Sequence, residues 1–285
     1  MPSLIDIRRR IRSVKNTQQI TKAMKMVSAA KLRRAQERVI TARPYAGALH
    51  KVLANVAAAA ASDPDAGSNP LLARRPEQRI LVVLITGDKG LAGAFNSNLI
   101  KATQRFIAEH HGATVTLELV GRKGRDFFRK RYSRISGDSI NLAAKPAYAD
   151  TSAIARKVME MYSNAEIDAV YLLYNAFKSV VSQTQTLTRV LPVEMPQEAG
   201  PADYIFEPAP AQMLDALLPR YVETEFYRAL LESAAAEHAA RMTAMDAATS
   251  NAEEMIEKLT LYMNRVRQAS ITKEIIEVVS GAAAE

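Results

Sequence analysis

The stretch "LESAAAEHAARMTAMDAATSNAEEMIEKLTLYMNRVRQAS", residues 231–270, carries the pattern that decides the fold. Apolar or small residues recur in it at alternating steps of four and three, without a slip. The seam positions are Leu231, Ala235, His238, Met242, Met245, Thr249, Ala252, Ile256, Leu259, Met263, Val266 and Ser270. This spacing is typical of a coiled coil. It predicts a C-terminal helix on the order of 100 Å long, at 1.5 Å per residue.

The N-terminal block, residues 3–61, repeats the same kind of spacing. It has no glycine before Gly47 and no proline between Pro2 and Pro44. Its predicted seam comprises Ile7, Ile11, Val14, Thr21, Ser28, Leu32, Ala35 and Val39. Because a long amphipathic helix must bury its apolar stripe, we expect the two terminal helices to pair with each other, antiparallel.

The middle of the chain alternates between strand and helix patterns. The predicted strands are 79–86, 115–120 and 169–174, and the predicted helices are 94–110, 122–130 and 152–163. Such alternation predicts an α/β domain with a mostly parallel sheet. The predicted fold is therefore α/β: a Rossmann-like domain inserted into a long antiparallel coiled coil of the N- and C-terminal helices. The predicted domains are 1–61, 62–209 and 210–285.

Composition and charge narrow the function. The 285 residues include no cysteine, which excludes disulfides and cysteine-ligated metals. The net charge is +8, yet residues 1–45 hold 12 basic and two acidic side chains, and residues 121–134 hold seven and one. Acidic protein partners or nucleic acid would both suit such basic segments. No signal peptide and no membrane-spanning run are visible, so a soluble, cytoplasmic chain is expected.

The stretch "RILVVLITGDKGLAGAFNSNLI", residues 79–100, resembles a phosphate-binding loop but has the wrong spacing. Its glycines are Gly87, Gly90 and Gly93, whereas dinucleotide and Walker loops need G-x-G-x-x-G or G-x-x-x-x-G-K-[ST]. Lys89 precedes Gly90 and is badly placed for a phosphate. The pattern favours a tight strand-to-helix turn over a nucleotide-dependent enzyme. No catalytic or metal-binding motif occurs, so no catalytic residue, cofactor or metal is predicted.

Four motifs point to one family. They are "TQQITKAMKMVSAAKLRRAQ" at 17–36, "TGDKGLAGAFN" at 86–96, "YIFEPAP" at 204–210 and "RQASITKEIIEVVSGAA" at 267–283. With them the sequence resembles the gamma subunits of bacterial F-type ATP synthases over essentially its full length. The resemblance implies a rotor shaft turning inside a hexamer of alpha and beta subunits. It also implies that nucleotide binds on the beta subunits, not on this chain.

The resemblance also implies partners and contact residues. Contacts with the alpha and beta subunits are expected at Met24, Lys25, Arg33, Arg34, Arg267, Gln268 and Thr272. Contacts with the epsilon subunit and the membrane ring of c subunits are expected at Tyr204 and Glu207. The tail "IIEVVSGAAAE" suits a smooth apolar sleeve. The expected location is the cytoplasmic face of the bacterial inner membrane, as a peripheral subunit without nucleic acid, cofactor or substrate of its own.

Overall fold

The computed structural model of the chain describes residues 3–60, 69–142, 146–195 and 207–282, with side chains to residue 280. The elements, in chain order, are helix α1 (Leu4–Ala60), a 3-10 turn (Pro70–Leu72), strand β1 (Arg79–Ile85), α2 (Phe95–Glu109), β2 (Thr114–Val120), α3 (Arg122–Phe128), β3 (Ile135–Ser139), α4 (Tyr148–Ser163), β4 (Ala169–Phe177), β5 (Gln183–Leu191) and α5 (Pro210–Ala282).

The five strands form one sheet in the order β3-β2-β1-β4-β5. All neighbours are parallel except β4 and β5, which pair antiparallel. This doubly wound arrangement, with a long helix at each end of the chain, confirms the predicted fold class.

Alternate residues of β1 serve two cores, one on each face of the sheet. Leu81 and Val83 join the core that also contains α4 and parts of α1 and α5. Ile80, Val82 and Leu84 join the core formed with α2 and α3. Period-two side-chain alternation therefore covers the sheet with helices on both faces, as parallel sheets require.

The described chain divides into two compact units, each with its own contacts. The terminal unit comprises residues 1–28 and 242–285, and the central unit comprises 29–241. In the terminal unit, the Thr21 and Thr249 hydroxyl oxygens lie 2.8 Å apart, and Lys25 Nζ lies 2.5 Å from Asp246 Oδ1. Because numbers rise along α1 as they fall along α5, these pairs show antiparallel packing.

The central unit contains the sheet together with parts of both long helices. There, the rings of His50 on α1 and Tyr221 on α5 lie 6.4 Å apart. Every predicted seam residue of both helices is buried or half-buried in its own unit. The predicted limits 1–61, 62–209 and 210–285 follow element ends rather than this grouping, and they stay a prediction.

Two strands were not predicted. β3 is short and contains Gly137, while β5 lies at the sheet edge and its threonines alternate with glutamine, leucine and arginine. The long helices also accommodate internal prolines, since α1 continues through Pro44 and α5 through Pro219.

Candidate functional site

The glycine-rich loop, residues 86–94, joins β1 to α2 at the carboxyl ends of the parallel strands. In sheets of this kind, ligands bind at this edge. Thr86 is fully buried; its Oγ1 donates to the Val120 carbonyl and accepts from the Gly124 N–H, at 3.1 and 2.9 Å. Gly121 has a φ of 98°, and a Cβ there would lie 2.0 Å from the Thr86 carbonyl oxygen. Glycine is therefore required where the two loops touch.

Asp88 connects the loops that follow β1, β2 and β3 through hydrogen bonds. Its Oδ1 accepts from the main-chain N–H groups of Arg122 and Asn141, each at 3.0 Å. The N–H of Gly87 is satisfied by the Asn96 side chain at 2.9 Å. Lys89 is exposed. The polar groups described at the carboxyl ends of these strands thus bond to the chain itself, except for the buried Asp88 Oδ2, which has no hydrogen-bond partner within the described part of the chain.

A buried ion pair on α5 packs against the glycine loop. Glu237 and Arg241, one turn apart on α5, are 6% and 8% exposed, and Arg241 Nη2 donates to Glu237 Oε1 at 2.5 Å. Arg241 Nε and Nη2 both donate to the Gly90 carbonyl at 3.3 Å. A Cβ added to Gly87 would lie 2.8 Å from Glu237 Cδ. Gly87 therefore leaves room for a carboxylate that α5 itself supplies.

Burial is the main cause of the pKa shifts of Glu237 and of the neighbouring His238. Desolvation raises the pKa of Glu237, although its hydrogen bond to Arg241 acts in the opposite direction. The neighbouring His238 is also desolvated and is close to the cations Arg241 and Lys31; its pKa falls to about 4. At neutral pH His238 is therefore uncharged, and its Nδ1 can accept from Arg241 Nη1 at 3.4 Å.

A second polar contact joins α5 to the α/β domain through α4. The buried Glu223 accepts from Tyr148 OH and from Arg156 Nε, each at 2.7 Å. Desolvation, followed by the Glu223 carboxylate, raises the pKa of Tyr148 to about 12. The tyrosine therefore stays a hydrogen-bond donor throughout the neutral range.

The predicted contact residues of α1 lie on its surface or half-buried. In the terminal unit, Met24 and Lys25 are half-buried, and Lys25 forms the ion pair with Asp246. In the central unit, Arg33 and Arg34 are exposed, and Arg33 Nε donates to Glu37 Oε1 at 3.3 Å. These residues are accessible, but their contacts with other subunits stay a prediction.

The predicted contacts at the end of α5 are fully accessible. Arg267, Gln268 and Thr272 are all exposed; the Thr272 hydroxyl donates to the Gln268 carbonyl at 2.9 Å. Every described side chain from residue 271 to 280 is exposed. The large aliphatic ones are Ile271, Ile275, Ile276, Val278 and Val279, which are 47–72% exposed. These five side chains share one face of the helix, and Lys273, Glu274 and Glu277 lie on the opposite face. An exposed, contiguous aliphatic face of this kind is typical of an interaction surface.

Tyr204 and Glu207 are the residues predicted to contact the epsilon subunit and the membrane ring of c subunits. Glu207 is exposed just before α5, whereas Tyr204 lies outside the described residues. Their contacts stay a prediction.

The basic segment 121–134 uses its aromatic side chains internally. Phe128 is buried, Tyr132 OH donates to the Val115 carbonyl at 2.7 Å, and Arg131 stacks 4.4 Å from the centre of the Phe127 ring. Bases of single-stranded RNA stack on exposed aromatic rings. This arrangement favours a solvated helix face packed on the core over a nucleic-acid interface.

Comparison with known proteins identifies the family. The family model described as ATP synthase matches residues 3–284. The ATP synthase gamma chain of Solibacter usitatus (strain Ellin6076) is 76% identical over 284 residues, covering 100% of this chain and 99% of the relative. The chain belongs to the ATP synthase gamma chain family.

Other gamma chains and solved structures agree with this assignment. The gamma chain of Desulfitobacterium hafniense is 51% identical over 284 residues, covering 100% of this chain and 99% of the relative. A chain in the Tetrahymena thermophila mitochondrial ATP synthase central stalk and c-ring structure is 27% identical with a TM-score of 0.60, covering 80% of this chain and 99% of its own length. A chain of the Euglena gracilis enzyme, 20% identical with a TM-score of 0.66, shares the fold over 99% of this chain and 94% of its own.

Sequence reasoning missed Glu237 and Arg241, which flank the seam residue His238. Their i, i+4 spacing and opposite charges are typical of a solvent-exposed helix pair. The sequence signal lies in their surroundings, because alanines fill positions 234–236 and 239–240. Within the described residues, no group of histidines and carboxylates could hold a metal ion, and no helix could cross a membrane.

Proposed function

We propose that this gamma chain is the central rotor shaft of a proton-translocating ATP synthase. In this proposal α1 and α5 turn within a hexamer of alpha and beta subunits, and the α/β domain meets the epsilon subunit and the c-ring. Rotation of the ring then drives ATP synthesis on the beta subunits, and the reverse occurs during hydrolysis. The chain itself supplies no catalytic residue and is peripheral to the cytoplasmic face of the inner membrane.

The exposed aliphatic end of α5 carries this proposal. Five large aliphatic side chains between residues 271 and 279 are exposed in the free chain. Burying each completely would contribute about 1.5–3 kcal/mol. An apolar sleeve would cover this aliphatic face, and it would offer no hydrogen bonds that fix a single angle. Neither nucleic acid nor a small substrate explains this surface.

The predicted contact residues fit the same picture. Exposed Arg33 and Arg34 suit acidic loops of the beta subunits, because exposed ion pairs contribute only about 0–1 kcal/mol each and do not trap one angle. Met24 and Lys25 would meet the moving beta-subunit loops. Arg267, Gln268 and Thr272 would contact the catalytic subunits nearer the sleeve.

The alternative of a nucleotide-binding protein is disfavoured by Glu237. A phosphate approaching the glycine loop would meet this buried carboxylate, and like charges repel strongly at short range in a poorly solvated site. Displacing Glu237 would also leave Arg241 without its partner.

Rotation can be tested directly because the chain has no cysteine. Val181, 87% exposed between β4 and β5, gives a labelling position in Val181→Cys. The labelled chain is assembled with alpha and beta subunits of the Solibacter enzyme on a surface, and a bead is attached to the thiol. We expect unidirectional bead rotation upon addition of ATP. Stable assembly without rotation, or failure to assemble, would contradict the proposed function.

A further inference from the structure

The polar contacts between α5 and the α/β domain include one near the start of the helix, where Asn69 Nδ2 donates to Asp215 Oδ1 at 2.6 Å, and two further along it. One is the α4 contact, formed by Tyr148 and Arg156 with Glu223. The other is the loop latch, which we define as Glu237 and Arg241 with the glycine loop 86–94. Glu223 and Glu237 are separated by about 21 Å along α5, at 1.5 Å per residue.

The apolar packing beside the loop latch offers little resistance to sliding. The buried side chains of α5 here are largely methyl groups, from Ala234, Ala235, Ala236 and Ala239. Helices interlock through ridges of side chains, and alanines form only low ridges. Hydrophobic attraction is also non-directional. Directional bonds must therefore fix the rotational setting of α5 against the sheet at this position.

The loop latch has the properties of such a fixed joint. Arg241 binds a main-chain carbonyl, that of Gly90, which cannot swing away as a side chain could. The same guanidinium holds Glu237, whose carboxylate fills the space that Gly87 leaves open. Both side chains are buried, and breaking a buried pair by removing one partner is much costlier than breaking an exposed one.

We propose that the loop latch is a torque-transmitting joint, in which Glu237 and Arg241 are positioning residues that lock the α/β domain to α5. This inference rests on the proposed rotor function. Torque applied to the α/β domain reaches α5 through its apolar core contacts and through polar attachments spaced along the helix. The loop latch prevents α5 from turning against the sheet beside the glycine loop, where the packing is mostly alanine. The carboxyl ends of the strands, where related folds bind phosphate, here hold the side chains of Glu237 and Arg241.

The first test is Arg241→Ala in the assembled enzyme, in inverted membrane vesicles. Removing one member of a buried ion pair raises the undocked population by about 100-fold or more. We expect ATP hydrolysis to persist, while the protons pumped per ATP fall by roughly half or more. Lys258→Ala is the matched control, because Lys258 forms an i, i+4 pair with Glu254 that is exposed on the same helix. The control should keep the parent ratio.

The second test restores the joint covalently. Gly87→Cys with Glu237→Cys places two thiols on the two sides of the loop latch in an otherwise cysteine-free chain. We expect poor coupling in this variant, recovery when a short bis-methanethiosulfonate reagent bridges the thiols, and renewed loss upon reduction. A merely structural role would not give this reversible change in protons pumped per ATP. Glu237→Cys alone, treated identically, controls for the reagent and should not recover.

The outcomes separate the joint from the rotor function. A parent chain that neither assembles nor couples contradicts the rotor proposal. A coupled parent with an unchanged ratio in assembled Arg241→Ala, or no recovery in the bridged cysteine pair, overturns the latch alone. Should Arg241→Ala fail to assemble, Arg241→Lys decides the question. It keeps the charge but cannot reach Gly90 with two donors, so a parent-like ratio in this variant overturns the latch.

Discussion

Acidification should lower the free energy of unfolding of the central unit, because the buried His238 then favours the protonated, unfolded state. Burial, followed by the charges of Arg241 and Lys31, lowers the pKa of its imidazole from 6.5 to about 4. The unfolded chain takes up this proton near pH 6.5, whereas the folded chain does so only near pH 4. Stability from the neutral ring is therefore complete above pH 6.5 and is lost as the pH falls from 6.5 to 4.

The size of this effect follows from the shift. One pKa unit corresponds to about 1.4 kcal/mol, and the partial solvation of the ring reduces the total loss to roughly 2 kcal/mol. Proton–carbon NMR of histidine-labelled chain measures the pKa directly, with His238→Gln assigning the resonance. His238→Gln should also flatten the dependence of melting temperature on pH between 4.5 and 6.5. His111→Gln, which removes an exposed imidazole after α2, is the control. Titration of His238 near pH 6.5 would refute the reasoning.

Three further substitutions test the seam, the loops and the shaft. Leu259→Asp puts an unpaired carboxylate into the seam and should cost about 2 kcal/mol of thermal stability, whereas Leu261→Asp, at an exposed position, should cost little. Gly121→Ala forces a side chain against a carbonyl oxygen of the loop after β1 and should cost about 3 kcal/mol or more in urea unfolding; the open helical site Gly47→Ala should instead gain about 0.5–1 kcal/mol. Met24→Lys should add an ion pair of about 2 kcal/mol with an acidic beta-subunit loop, lowering the protons pumped per ATP hydrolysed without loss of assembly. A melting temperature of Leu259→Asp equal to that of the parent would contradict the first expectation, and an unchanged urea unfolding curve of Gly121→Ala would contradict the second. An unchanged number of protons pumped per ATP in Met24→Lys would contradict the third.

The long helices were predictable because their burial is periodic. A seam residue such as Ile7 or Ala252 is buried, and its neighbours one step away are exposed, so the sequence pattern carries the register. β1 was predictable for a different reason, because its six residues 80–85 form a continuous apolar run and are all buried. Edge strands lack this signal. β5 pairs with β4 and is only partly buried. Because threonines interrupt its sequence, β5 has no continuous apolar run that would mark it as a strand.

The role of the glycine loop could be predicted only by exclusion. The spacing of Gly87, Gly90 and Gly93 argues against a phosphate, but it cannot reveal what occupies the edge of the sheet. Glu237 and Arg241 stand about 150 residues further along the chain. Their contact depends on how α5 crosses the sheet, which local propensity does not encode.

The seam of the terminal unit raises the same physical question as the loop latch. Thr21 is buried at a position where leucine would stabilise the coiled coil more, and its hydroxyl meets that of Thr249 at 2.8 Å. Each hydroxyl also has a main-chain carbonyl of its own helix within 3.0 Å, so neither is left unsatisfied. A polar pair in an apolar seam costs stability, but it favours one register, because a shift of one turn would break the contact between the two hydroxyls. If the two helices of the shaft slipped in register, a rotation applied at one end would not be transmitted fully to the other end. Selection for torque transmission would therefore retain directional polar contacts in both units, even where apolar side chains would give a more stable protein.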